Sequence, residues 1–198
     1  MNGRRCRDAG QAFPIYITVV AGLLFLALAY FAVGQAAVNR NSAQTAADAA
    51  ALAAAQDTRD QLAGEWVKDV LEPTKWQDIF QGNGQGIRSS CWRASQLAQQ
   101  NDAHLLDCDP DGLLGYTVEV QTNKTMGKSL VPITEATRSK ARATAVIVPL
   151  CSFQPLAGKA GHDELPRLSC KEDWDLDPKH LTDLPEPHDL FDVHLVDR

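Results

Sequence analysis

Cysteines, histidines and closely spaced carboxylates are the side chains of this 198-residue chain whose types could do chemistry. Cys6 stands alone near the start, and Cys91, Cys108, Cys151 and Cys170 follow far downstream. A four-cysteine zinc site brings its thiolates in C-x-x-C pairs, and no such spacing occurs, so two cystines are the better use of these sulfurs. Four cysteines allow three pairings and the sequence alone does not choose among them; joining sequence neighbours would close loops of under about 20 residues, each stabilising by about 3 kcal/mol on the chain-entropy picture. His162, His180, His188 and His194 lie in a loop and an acidic, proline-bearing stretch. Imidazoles near carboxylates suit zinc or another transition ion, but the irregular spacing favours solvated histidines. Asp107, Asp109 and Asp111 alternate like the opening of a calcium loop, yet Leu113, Leu114 and Gly115 follow where further oxygen ligands are needed. The run Gly82, Asn83, Gly84, Gln85, Gly86 lacks the Gly-Lys-Ser/Thr of a phosphate loop, and neither a G-x-S-x-G elbow nor an H-E-x-x-H helix is present. The expectation is therefore no catalytic residue, no metal and no cofactor.

What these residues lack in catalytic pattern, the stretch before them has in structural pattern. Phe13 to Val33 reads FPIYITVVAGLLFLALAYFAV, about 20 residues without a charge, which is the length a helix needs to cross a bilayer's hydrocarbon. Apolar residues sit all round the cylinder, so no wet face marks it as an amphipathic core helix. Tyr16 and Tyr30 suit the two interfaces, and Pro14 lies in the first turn, where its missing N–H costs little. Arg4, Arg5 and Arg7 precede the span with only Asp8 against them, whereas Arg40 is the sole cation in the next two dozen residues. That asymmetry predicts a cytoplasmic N-terminus and an extracytoplasmic remainder. Ala32, Val33 and Gly34 loosely resemble a signal-peptidase site, but the apolar run exceeds a usual h-region and the helical pattern continues through it, which favours an intact anchor.

The next block, QAAVNRNSAQTAADAAALAAAQ from Gln35 to Gln56, has the strongest intrinsic helix preference available, and no glycine or proline intervenes until Gly64. The helix is expected to run on into water and to persist to about Leu71, before Pro73. Ala36, Ala43, Ala46, Ala47, Ala50, Ala53 and Ala54 share one side, a seam of small side chains that another helix could approach closely. This seam and the span predict a membrane partner and a helix-mediated oligomer. A plain helical spacer is the blander alternative.

The order of a short arginine-bearing leader ending in Arg7, Asp8, Ala9, Gly10, Gln11, Ala12, an apolar helix, and then AQTAADAAALAAAQ from Ala43 to Gln56, resembles the TadE/TadG-like family of Flp (Tad) pilus-assembly proteins, in form the TadG-related actinobacterial type. The resemblance covers about the first 60 residues. It implies a structural role in a bacterial pilus or related secretion machine, with other pilus-assembly or pseudopilin-like membrane proteins as partners. Prepilin-type leaders are cut after a glycine just before the helix, which makes Gly10 and Gln11 the candidate processing site. Cleaved Flp-type pilins carry Glu then Tyr at the fifth and sixth positions after that glycine; here Ile15 and Tyr16 stand there, and an intact anchor is expected.

The remaining chain has room for one α+β domain. Leu62, Trp66, Val70 and Leu71 continue an apolar helical side, Lys75 to Phe80 reads as a short helix, and Ile87 to Asn101 as the domain's own helix. Leu105 to Cys108 is extended, Asp109 to Gly112 is a turn, and Tyr116 to Thr122 and Ala141 to Leu150 are strands. From Lys171 onward the carboxylates outnumber lysine and arginine by six, which equals the whole chain's net −6 and leaves no footprint for nucleic acid. Pro178, Pro185 and Pro187 suggest a solvated arm, with DLFDVHLV from Asp189 to Val196 able to dock as a strand on a partner or on the domain's own sheet edge. The expected organisation is a basic leader (1–12), a transmembrane helix (13–34), an alanine-rich stalk (35–72), a disulfide-stapled helix-on-sheet domain (73–170) and an acidic irregular tail (171–198). A membrane-anchored binding or sensor module unconnected with pili is the alternative function.

Overall fold

The computed structural model describes residues 12–125, 138–154 and 165–196, with side chains from residue 14. Its spine is α1 (Ala12–Lys68), a continuous helix of 57 residues, about 85 Å long at 1.5 Å per residue. It ends in a turn at Asp69, and Pro73 then opens α2 (Pro73–Phe80) rather than closing α1, because proline at the first helical position sacrifices only an N–H that has no partner anyway. Next come α3 (Cys91–Gln100), β1 (Ala103–Pro110), β2 (Gly115–Thr122) and β3 (Lys140–Pro149). The short strands β4 (Ser152–Phe153), β5 (Leu168–Ser169) and β6 (Asp173–Trp174) form a small sheet, and α4 (Pro187–Leu190) leads into β7 (Phe191–Val196).

The main sheet runs β1-β2-β3-β7, antiparallel throughout. Its alternation decides what faces α1. Tyr116, Val118 and Val120 of β2 and Ala143, Ala145 and Ile147 of β3 are buried, while Glu119 on the opposite face meets Arg142 at 3.2 Å and Lys140 at 3.8 Å. Ala46, Ala47, Ala50, Ala51, Ala54 and Ala55 belong to the same hydrophobic core as these strands and as Ala94 and Ala98 of α3. The alanine block is thus the domain's own core and has no separate existence as a stalk. Alanine's single methyl explains the arrangement: it lets the sheet and α3 approach the α1 backbone closely, where larger side chains would hold them off.

Larger side chains close the far end of the core. Trp66 packs tilted against Trp76 at 5.4 Å, Trp76 meets Phe153 edge-on at 5.3 Å, and Phe80 lies 5.5 Å from Phe191. Gly82, at φ +84°, permits this closure, since a Cβ there would stand 2.8 Å from that of Leu113. Cys91–Cys108 fastens α3 to β1, and Cys151–Cys170 fastens the exit of β3 to the exit of β5.

The acidic tail departs from the irregular arm expected of it. Leu190 and Phe191 are fully buried, Leu176, Leu181 and Leu184 pack against the core, and β7 pairs with β3 from Thr144↔Val196 to Pro149↔Phe191. Of the two docking options for DLFDVHLV, the chain uses its own sheet edge. Net charge and prolines dominate the tail's composition, but leucines and a phenylalanine at the right register supply enough burial to fold it back.

Candidate functional site

Two stretches of one helix meet at Asn39, and the difference between them defines the candidate site. Before it, α1 projects beyond the domain: the best apolar window has a mean hydropathy of 2.3 and none of it is buried. Ile15, Tyr16, Leu24, Phe25, Leu26, Tyr30, Phe31 and Val33 are all more than 60 % exposed, and they point to every side of the cylinder. This is one helix long and apolar enough to cross a membrane, and nothing else in the described chain covers it. A Cβ placed on Gly22 or Gly34 would meet nothing within 4 Å, so neither glycine is required by a neighbour within the chain. Ala36, the first member of the expected seam, is exposed on this projecting part.

Beyond Asn39 the environment inverts. Ala43, Ala46, Ala47, Ala50 and Ala54 are 0 % exposed and Ala53 is 7 % exposed. The seam expectation is corrected here: six of its seven alanines are already buried within this chain, Ala46, Ala47, Ala50 and Ala54 in the core shared with the sheet and α3, and of the seam only Ala36 is exposed. Spacing revealed a close-packing surface but not its occupant, because alanine at sevens serves a sheet as well as a helix.

A buried polar clamp fixes the depth at which α1 sits. The Thr58 hydroxyl lies 2.7 Å from that of Ser90 and 3.0 Å from the Tyr116 phenol oxygen, which also accepts the Ser90 backbone N–H at 3.2 Å. Ser90 Oγ donates to Asp57 Oδ2 at 2.8 Å, and Gln61 binds both the Asp57 carboxylate and the backbone of Arg88. α1, the segment leading into α3, and β2 are thereby held in register, and among the described residues no imidazole touches the Ser90–Asp57 pair to make it a nucleophile. Sequence reasoning missed this network: Thr58 stands among Gln56, Asp57, Arg59 and Asp60, a polar setting that gives no sign of burial.

The other chemistry-bearing residues are scattered. His180, His188 and His194 each pair with carboxylates close by in sequence, Asp177, Glu186 and Asp192, and His162 lies outside the described residues. Asp107 accepts the backbone N–H of Cys108. No group of three or more possible ligands is close enough to hold a metal among the described residues. The His180 side chain, and then the backbone N–H of Lys179, hold the Asp177 carboxyl below its ordinary range. Hydrogen bonds to Glu72 and then Asp69 raise the Lys75 ammonium above its ordinary range. Both groups are exposed, and among the described residues neither belongs to a cluster that could hold a metal.

Charge is nonetheless distributed unevenly along α1. At the end of the domain beside the projecting helix, Val38, Asn41 and Thr45 line a groove with Asn101 and Asp102, and Gln44 reaches the Arg142 carbonyl at 3.5 Å. Lys124 stands there on Asp102 at 2.6 Å, and Ser139 is bonded to Thr122. The opposite end carries the acidic groove of Glu172, Asp173, Asp175, Asp177 and Asp183, joined to the core through β5 and Phe153.

With this geometry in view, the comparison with known families is informative. Residues 10–57 match the TadE/G-like family, described as putative Flp pilus-assembly proteins. The match to this Tad family spans the projecting helix and the alanine half as far as Asp57, and it stops before the sheet. It is to the TadE/G-like family as a whole and does not single out the TadG-related actinobacterial type. No curated protein and no solved structure matches the chain. The family is structural rather than catalytic, and Gly10 and Gln11, the candidate processing site, lie outside the described residues.

Proposed function

We propose that this chain is a structural, membrane-anchored component of Flp-type pilus assembly, inserted once with its N-terminus in the cytoplasm and its α+β domain outside. The observation that carries the proposal is the coincidence of the Tad match, residues 10–57, with a helix whose first half is apolar on every side and uncovered. A structural role follows from that surface: it offers length, shape and lipid-compatible side chains, and no reacting groups. The arginines at positions 4, 5 and 7 support the orientation. The two cystines fit an oxidising compartment for the domain. Partners meet the projecting half of α1, residues 14–38, including Ala36, and an oligomer would use the same surface. The leader stays attached, since Ile15 stands where cleaved Flp-type pilins carry Glu.

The test is deletion of the gene in its own host, scored by surface fibres under the electron microscope and by photo-crosslinking from position 25 or 30. Loss of fibres, with crosslinks to pilus-assembly membrane proteins, supports the proposal. Unaltered fibres together with crosslinks to lipid alone would sink it and leave a membrane-anchored binding module.

A further inference from the structure

We propose that the end of the domain beside the projecting helix is a docking face for anionic lipid headgroups of the membrane that α1 crosses, a proposal that rests on the membrane-anchor reading. Among the described residues five cations gather at this end: Arg40 on α1, Lys124 at the exit of β2, and Arg138, Lys140 and Arg142 at the entry to β3. Their level is fixed by contacts. Lys124 sits on Asp102, which lines a groove with Val38 and Asn41, and the Arg142 carbonyl meets Gln44.

Counting along the helix, Val38 is about 8 Å and Gln44 about 16 Å beyond Val33, the last residue of the apolar run. The headgroup layer occupies about 5–8 Å on each side of the hydrocarbon. The cations therefore begin where the headgroups are and extend outward by little more than a Debye length at physiological salt. They are also available. Lys124, Lys140 and Arg142 side chains are 75 %, 56 % and 63 % exposed, and Arg40 and Arg138 are exposed with no carboxylate partner among the described residues.

Among the described residues Asp48, Asp102, Asp107 and Glu119 stand against the five cations at this level, although the chain as a whole is net −6. The excess acid lies at the other end, in the groove of Glu172 to Asp183. Base toward the bilayer and acid away from it is the arrangement a negatively charged surface would select. It also leaves the positive-inside rule undisturbed, since Lys124 to Arg142 are remote from the span in sequence and that rule counts cations close to the span's ends.

The full chain in nanodiscs, acylated with an amine-reactive ester and read lysine by lysine in the mass spectrometer, tests this. One set of discs is pure phosphatidylcholine and the other contains 30 % phosphatidylglycerol. In the anionic discs Lys124 and Lys140 should acylate about fivefold more slowly, the factor corresponding to the attraction of one cation near such a surface. Lys68 and Lys179 should not change, and 0.5 M NaCl should remove the difference. Arg138→Gln combined with Arg142→Gln should shrink it, with both cystines and the circular dichroism retained. Equal rates in both discs, for chain that cofloats with the lipid, overturn the proposal while leaving the anchor intact. Equal slowing in neutral discs also overturns it, because charge then plays no part. Slowing that vanishes on dilution to one chain per disc assigns the face to the acidic end of a second copy instead. A chain that fails to cofloat at all overturns the anchor reading, and this proposal with it.

Discussion

The two halves of α1 exchange the roles that hydrophobicity usually assigns. Leucines, phenylalanines and valines fill the half that no other described part of the chain covers, and alanines make up most of the buried side of the half that forms the core. Large apolar side chains therefore mark where this protein meets something else, and alanines mark where it meets itself. Size accounts for the difference: a bulky surface associates with compliant lipid or a partner, whereas close apposition of a sheet to a helix backbone demands small side chains.

Mutations can break this contrast, and the largest effect belongs to the bulkiest anchor of the buried half, Trp66, which Leu62 joins in the core. Trp66→Ala should destabilise the domain by about 3–5 kcal/mol in urea titrations of the full chain in detergent. Trp66→Phe should cost far less, since the indole N–H has no hydrogen-bond partner among the described residues and its loss leaves nothing stranded. Next comes Ala50→Leu, which forces a branched side chain into the core packed on α1 and should cost about 1–3 kcal/mol. Its counterpart Phe25→Ala, in the exposed half, should change unfolding of the domain by less than about 0.5 kcal/mol and act only on membrane retention. Equal destabilisation by these two substitutions would end the division of labour.

Thr58→Val probes the clamp between the halves of the fold. It removes hydroxyl partners of Ser90 and Tyr116 and should cost about 1–3 kcal/mol, with hydrogen exchange at the Ser90 amide rising as the readout. The smallest effect concerns Lys75. Because its folded-state pKa is raised, the stabilisation it brings is complete below the ordinary lysine range and is lost as pH rises through the folded value. Lys75→Met should lower Tm by at most a few degrees at pH 7, and the gap to the unaltered chain should narrow as pH is raised beyond the ordinary lysine range.

Much of this plan is written locally in the sequence. The uncharged run from Phe13 to Val33 announces an exposed apolar helix through its length, and Tyr116 to Thr122 announces a half-wet strand through its alternation. The four cysteines limited the pairing without deciding it, and proximity in the fold joins the neighbours. What composition concealed was long-range. Ala43 to Ala54 pack equally well on a helix or a sheet, and only contact with β2, β3 and α3 says which. Leu190 and Phe191 sit among carboxylates and prolines that suggest solvation, yet two well-placed apolar residues and six strand positions outweigh that average. The clamp joins residues 57 to 116, a separation over which no local pattern operates.

Because α1 passes from the exposed apolar run into the core without a break, the domain has no joint with which to move independently of its anchor. Trp66 stands about 50 Å along the axis from Val33. A tilt of the span by about 20°, ordinary for a helix in a bilayer, would swing that end of the domain sideways by about 17 Å. The helix is in this sense a lever, and the thickness of the membrane sets its angle.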